Sequence, residues 1–139
     1  MKNSIEVSWL SNMAFETNIN GHSLIMDANP EVGGENKGPR PKPLMLAALG
    51  GCTGMDVVSL LKKMRIEISD FKIFIDGEVT DEHPKQFNQI HLIYQFTGKD
   101  LPLDKIEHIV RLSQDKYCGV SATYKKAMDV SWEVRVIPI

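Results

Sequence analysis

Two cysteines are the residues of this chain whose types and positions best suit covalent chemistry. Cys52 ends a run of small residues, Ala47-Ala48-Leu49-Gly50-Gly51, inside an apolar helical pattern. Cys118 follows Lys116-Tyr117 and opens a second helical segment, Gly119 to Tyr124. Brought together by the fold, they form a thiol pair. A thiolate attacks a peroxide oxygen and becomes a sulfenic acid, and a second thiol condenses with that acid to a disulfide. The attacking sulfur must be deprotonated yet shielded, whereas the resolving sulfur needs only access and geometry. His22, His83, His91 and His108 show no paired spacing for a metal, and no phosphate loop or serine nucleophile motif is present, so no metal or cofactor is expected.

Cys52 suits the attacking role, because its apolar helix and neighbours would line a narrow pocket around one polar atom. Burial alone raises a thiol's pKa, so a cation must offset it. Arg40 and Lys42 precede the helix, and Arg40 is preferred because its planar fork can hold a thiolate and a peroxide oxygen together. Asp56 lies one helical turn after Cys52 on the same face, where it would oppose thiolate formation or position a cation. Cys118 stands at a helix start, whose dipole would lower its pKa, and so remains an alternative nucleophile.

The elements that must position these groups are legible in the hydrophobic pattern. Alternation marks strands around Ile5 to Trp9, Phe71 to Val79, Ile90 to Phe96 and Val130 to Val136, each half buried in an antiparallel sheet. Weaker strands, Ala14 to Asn18 and Ser23 to Asp27, are joined by a tight turn at Asn20-Gly21. Trp9 and Trp132 fall on inward strand faces and are expected in the core. A first helix starts near Pro43 and runs apolar on nearly all sides to Lys62-Lys63, so it should be central. Gly50, Gly51 and Gly54 within it each cost about 1 kcal/mol relative to Ala. That cost implies a close backbone approach or a bend beside Cys52. A second helix, Pro102 to Lys116, carries Leu103, Ile106, Ile109, Val110 and Ser113 on one stripe. Residues 27 to 42 lack periodicity and form a long loop of the functional or mobile kind.

A chain of 139 residues fits a single domain, 1–139. Its net charge of -2 supplies no general attraction to nucleic acid or an anionic membrane, leaving small molecules or proteins as partners. The N-terminus reaches a charge before any apolar stretch of signal-peptide length, and no run is expected to approach a membrane span. A cytoplasmic location follows, and in that reducing compartment the cysteines are buried fillers or redox-active thiols.

Gly38-Pro39-Arg40-Pro41, Leu44-Met45-Leu46-Ala47-Ala48-Leu49-Gly50-Gly51-Cys52 and Lys116-Tyr117-Cys118-Gly119-Val120-Ser121 together resemble the OsmC/Ohr family. Glu82 to Leu92 and Gly98 to Leu101 look like its OsmC-like branch. The resemblance implies an α+β, OsmC-like fold in which antiparallel sheets surround long central helices in an intertwined homodimer. It also implies thiol-dependent reduction of hydroperoxides, organic ones preferentially, with Cys52 peroxidatic, Cys118 resolving and a dithiol reductant of unknown identity. Well-characterised peroxidases of that family pair the reactive cysteine with a glutamate near the helix start and an arginine from an N-terminal strand or loop. Here the helix start reads Lys42-Pro43 and no arginine precedes Arg40, which is the substitute on chemical grounds. The alternative reading is a binding module of the same fold, whose apolar cleft holds a small lipophilic or electrophilic ligand. A third is a structural role with two inert cysteines.

Overall fold

The computed structural model describes residues 1 to 139. Its elements follow as β1 (Val7–Ser11), β2 (Ala14–Ile19), β3 (His22–Met26), α1 (Pro41–Lys63), β4 (Asp70–Val79), β5 (Phe87–Gly98), α2 (Leu103–Leu112), α3 (Gly119–Lys125) and β6 (Asp129–Pro138). A 3-10 turn, Pro30–Val32, precedes α1, and a π-turn, Ser113–Tyr117, lies between α2 and α3. The class is α+β, as expected. Two compact units divide the chain, residues 1–45 and 46–139.

In the first unit, β1, β2 and β3 form an antiparallel sheet in sequence order. Asn20 and Gly21 both take positive φ, 52° and 86°, at the β2–β3 turn, the dihedrals that these two residue types accept most easily. Trp9 is not the core residue its alternation suggested. It is 65% exposed, with its indole N–H donating to the Asn12 carbonyl at 2.8 Å. Alternation reports that a strand has two unlike faces, but covering one of them takes another layer. Within this unit only Ala14, Thr17 and Asp27 are buried.

Residues 27 to 42 are organised around one carboxylate. Asp27, 3% exposed, accepts backbone N–H bonds from Ala28 at 2.7 Å, Glu35 at 3.2 Å and Lys37 at 3.1 Å. The chain closes so tightly here that a Cβ on Gly34 would overlap the Ala28 carbonyl, and one on Gly38 the Ile25 carbonyl. The stretch without sequence periodicity is therefore a hydrogen-bonded loop.

In the second unit, β4 and β5 pair antiparallel, whereas β6 pairs parallel to β5. This departs from the expected antiparallel arrangement. Parallel neighbours need a crossover of a dozen or more residues, and α2, the π-turn and α3 supply it. Ile90, Leu92, Tyr94 and Phe96 of β5 are fully buried on one face, where they join Leu49, Val57 and Leu61 of α1 and Ile106, Ile109 and Val110 of α2. Phe71 stacks on Phe96 with ring centroids 4.5 Å apart. Trp132 is half-buried, edge-on to Tyr94 at 6.3 Å and under the Arg111 guanidinium.

Only one stripe of α1 is buried: Leu49, Thr53, Val57 and Leu61, four residues apart along the helix. The expectation that no run approaches a membrane span fails for this helix, whose 23 residues are long and apolar enough by length and composition. Small neutral residues cause this, because Gly50, Gly51, Thr53, Gly54 and Ser59 interrupt the pattern without adding charge. The glycines answer to side chains, with no second backbone approaching. A Cβ on Gly50 would meet Ile75 Cδ1 at 2.8 Å, one on Gly54 would meet Ile73 Cδ1 at 3.4 Å, and Gly51 faces open space.

The Asp27 cage makes a pH-dependent contribution. The Lys37 N–H is the largest influence holding its carboxyl below the usual 3.8, and burial opposes it in part. A depressed folded-state pKa stabilises the fold above the unfolded pKa, and that stabilisation is lost as pH falls through the folded value. Asp27→Asn is therefore expected to lower the melting temperature at pH 7, with the gap to wild type closing once pH drops below about 3.8; equal midpoints at neutral pH would contradict the cage.

Candidate active site

Cys52 sits half-buried in the middle of α1, and Cys118 is 2% exposed at the N-cap of α3. Cys52 packs against the buried cluster that contains Cys118, close enough to raise the Cys118 pKa, and neither thiol is in a disulfide. Residues separated by most of the second unit's sequence thus meet because α1 and the β5–β6 crossover cover the same sheet face.

Burial decides the protonation of Cys118. Burial is the largest influence on Cys118 and pushes it up to about 11. The Ser121 N–H, which donates to Cys118 Sγ at 3.3 Å, pulls the other way, and the Cys52 contact and the Asp56 charge push up again. The helix-start position therefore does not make Cys118 the readier thiolate. One N–H bond from a seven-residue helix is outweighed by the loss of water. At neutral pH Cys118 keeps its proton.

Beneath the pair runs a chain of buried polar side chains. Ser113 Oγ donates to Asp56 Oδ2 at 2.9 Å. A hydroxyl has one proton to give, so Ser113 must accept from Thr53, at 2.7 Å, and Thr53 from the Tyr94 hydroxyl, also at 2.7 Å. Tyr94 in turn accepts the Gln114 Nε2–H at 2.6 Å, and Gln114 Oε1 accepts the Ser121 hydroxyl at 2.6 Å. Donation runs in one direction, from Ser121 to the carboxylate. Burial raises the Tyr94 pKa, which keeps its phenol a donor. No buried side-chain nitrogen or oxygen lacks a partner.

The π-turn makes this chain possible. Its wide turn is closed by the Cys118 N–H on the Ser113 carbonyl at 2.8 Å, and it lets Ser113 and Gln114 both point inward. Lys125 Nζ caps the Gln114 carbonyl at 2.6 Å. Of the side chains in this chain, sequence reasoning placed Ser113 and Tyr94 on inward faces but gave them no role, and it missed Thr53, Gln114 and Ser121. The available signal was polar atoms at positions whose pattern faces a core. Asp56, left open between two roles, takes its hydrogen bond from Ser113 rather than from a cation.

Arg40 belongs to the first unit. Its Nη1 donates to Asn36 Oδ1 at 2.8 Å and to the Gly38 carbonyl at 3.0 Å. It lines an apolar pocket of about 630 Å³ with Val7, Met13, Phe15, Met26 and Val32. The first turn of α1 carries no acidic residue.

Comparison with known proteins agrees with this architecture. Residues 34–133 match the family described as OsmC-like protein. Protein YhfA of Escherichia coli is 33% identical over 132 residues, covering 94% of this chain and 96% of that protein. The crystal structure of a hypothetical protein from Aquifex aeolicus is 33% identical, with a TM-score of 0.83 and 98% of each chain covered. An organic hydroperoxide resistance protein OsmC from Legionella pneumophila shares the fold at a TM-score of 0.71 and 18% identity, with 97% of each chain covered.

Two outcomes test the geometry. Iodoacetamide at pH 8 should alkylate Cys52 at least about tenfold faster than Cys118, read by peptide mass spectrometry, because Cys118 is buried and holds its proton whereas Cys52 is half-buried. Thr53→Val strands a Tyr94 donor and a Ser113 acceptor and should cost about 1–3 kcal/mol in urea denaturation.

Proposed function

Because this chain belongs to the OsmC-like protein family, we propose that it reduces hydroperoxides, organic ones preferentially, with Cys52 as the attacking thiol and Cys118 as the resolving one. The observation that carries the reading is the placement of half-buried Cys52 beside the buried cluster that holds Cys118, close enough to raise the Cys118 pKa, with the proton held on Cys118. The Cys52 thiolate attacks the peroxide oxygen, the O–O bond breaks, and the alcohol leaves with a proton taken from solvent. Sulfur is then a sulfenic acid. Attack by the Cys118 sulfur forms the S–S bond, breaks the S–O bond and releases water. The two thiols supply both electrons, and a dithiol reductant restores them.

Arg40 is the cation proposed to bind the peroxide or the developing anion, because part of its guanidinium fork is not engaged by Asn36 and Gly38. A second copy of the chain is the proposed cover for the open face of α1. That face borders an apolar groove of about 780 Å³, lined by Gly50, Gly51, Gly54, Met55, Val58 and Ile73 among others, and Met55 is 76% exposed. The size of this groove also favours the second reading, a binding module, since small-molecule pockets span roughly 300–1,000 Å³.

Consumption of cumene hydroperoxide with dithiothreitol separates these readings. Cys52→Ser should abolish turnover, and Cys118→Ser given one equivalent of peroxide before any reductant is added should stop at a sulfenic acid that dimedone traps. Equal activity in wild type and both variants would remove the proposal. Arg40→Ala should lower kcat/KM at least about tenfold, equivalent to about 1.4 kcal/mol, with Arg40→Lys intermediate. Met55→Glu should convert a dimer to a monomer by light scattering; native mass spectrometry that finds a co-purified small molecule in place of a second copy would favour the binding module.

A further inference from the structure

Closing the disulfide poses a proton problem. Cys118 must lose the proton that its buried site holds, and the group leaving Cys52 must be stabilised or protonated. The titratable and charged groups nearby are Cys52 and Asp56 on α1, Tyr94 on β5, and Lys63 and Tyr117, which border a crevice of about 110 Å³ with Asp56, Ser59 and Leu60. Lys125 is engaged by the Gln114 carbonyl and Asp115. Tyr94 already donates to Thr53, and ammonium groups only donate. Asp56 is the acceptor among them.

We propose that Asp56 takes the Cys118 proton when Cys118 attacks oxidised Cys52. Three features place it. It stands one helical turn beyond Cys52 on the same face of α1. Ser113 joins it to Cys118, giving its hydroxyl to Asp56 and its carbonyl to the Cys118 N–H. Ser113 occupies Oδ2, so Oδ1 remains to accept. The one-way chain from Ser121 through Gln114, Tyr94, Thr53 and Ser113 fixes the carboxylate, because no hydroxyl in it can reverse without breaking a neighbour's bond. The crevice gives Asp56 an outlet to water.

With Cys52 as a sulfenic acid, the Cys118 S–H proton passes to Asp56, the S–S bond forms as the S–O bond breaks, and the same proton leaves with the hydroxyl as water. Asp56 ends as it began. This inference rests on the proposed function for that intermediate, although the proton transfer is the same whatever group leaves Cys52.

A measurement without peroxide therefore tests it. Reduced protein treated with one equivalent of dithiobis-nitrobenzoate carries the mixed disulfide on Cys52, and attack by Cys118 releases a second coloured nitrothiobenzoate. That release is followed by stopped flow against pH, and Cys118→Ser marks its absence. An internal carboxylate base should give the wild type a nearly flat rate between roughly pH 7 and 9. Asp56→Asn should slow the release at least about tenfold at pH 7 and make it climb about tenfold per pH unit, with Asp56→Glu recovering part of the rate. A wild-type rate that itself climbs with hydroxide toward the Cys118 pKa near 11, or an Asp56→Asn rate equal to wild type, overturns the assignment. The wild-type profile decides even where the variant fails to fold. A protein that passes this test but consumes no hydroperoxide keeps the Asp56 assignment and loses the peroxidase reading.

Discussion

A hydroxyl donates one hydrogen bond, and that limit orders everything beneath the two thiols. Once Ser113 gives its proton to Asp56, the direction of each bond back to Gln114 is determined. The chain ties α1, β5, the π-turn and α3 to one another through side-chain hydrogen bonds in the core. Leaving any one member unpaired would expose a buried polar group with no water to replace the lost partner. The polar chain therefore gives the packing of these elements a directionality that apolar contacts lack.

The same arrangement separates the two sulfurs chemically. Cys118 lies deep enough for desolvation to outweigh the Ser121 N–H, and it holds its proton. Cys52, half-buried on a helix with one open side, is within reach of a reactant. The two sulfurs thus differ in their access to solvent. The neighbouring carboxylate, which disfavours a second negative charge at Cys118, reinforces the difference.

Helix α1 has two apolar sides with different fates. Leu49, Thr53, Val57 and Leu61 are covered by their own sheet, while Met55 and Val58 are not. Small residues at Gly50 and Gly54 let the β4 side chains Ile75 and Ile73 come close. The first unit has a similar surplus of exposed apolar side chains, Trp9 among them. In both units the apolar surface exceeds what the unit itself covers, which is the pattern of a chain that buries more in association.

Much of this was legible beforehand. Period-two alternation located four of the six strands, the Asn20-Gly21 pair framed the hairpin of the other two, and the continuous apolar run located α1, because these signals are local and depend on backbone periodicity. The small-residue run and the Tyr-Cys-Gly segment likewise singled out both cysteines. Strand direction was not legible: β6 alternates like its neighbours, and only the crossover through α2 and α3 makes it parallel. Nor was burial, since Trp9 and Trp132 share a pattern but Trp9 is exposed and Trp132 is half-buried. The π-turn escaped because its extra residue hides inside a helical pattern, and with it went the inward turn of Gln114.

Taken alone, the order of residues determined which segments are helix or strand and which side chains have the chemistry to react, since both are properties of short stretches and of single side chains. Tertiary structure alone decided that Cys52 packs against the cluster holding Cys118, that Cys118 is deprived of water, and that Asp56 takes its hydrogen bond from a serine. Those are properties of distance and desolvation, and they exist only after elements remote in the chain have packed against one sheet.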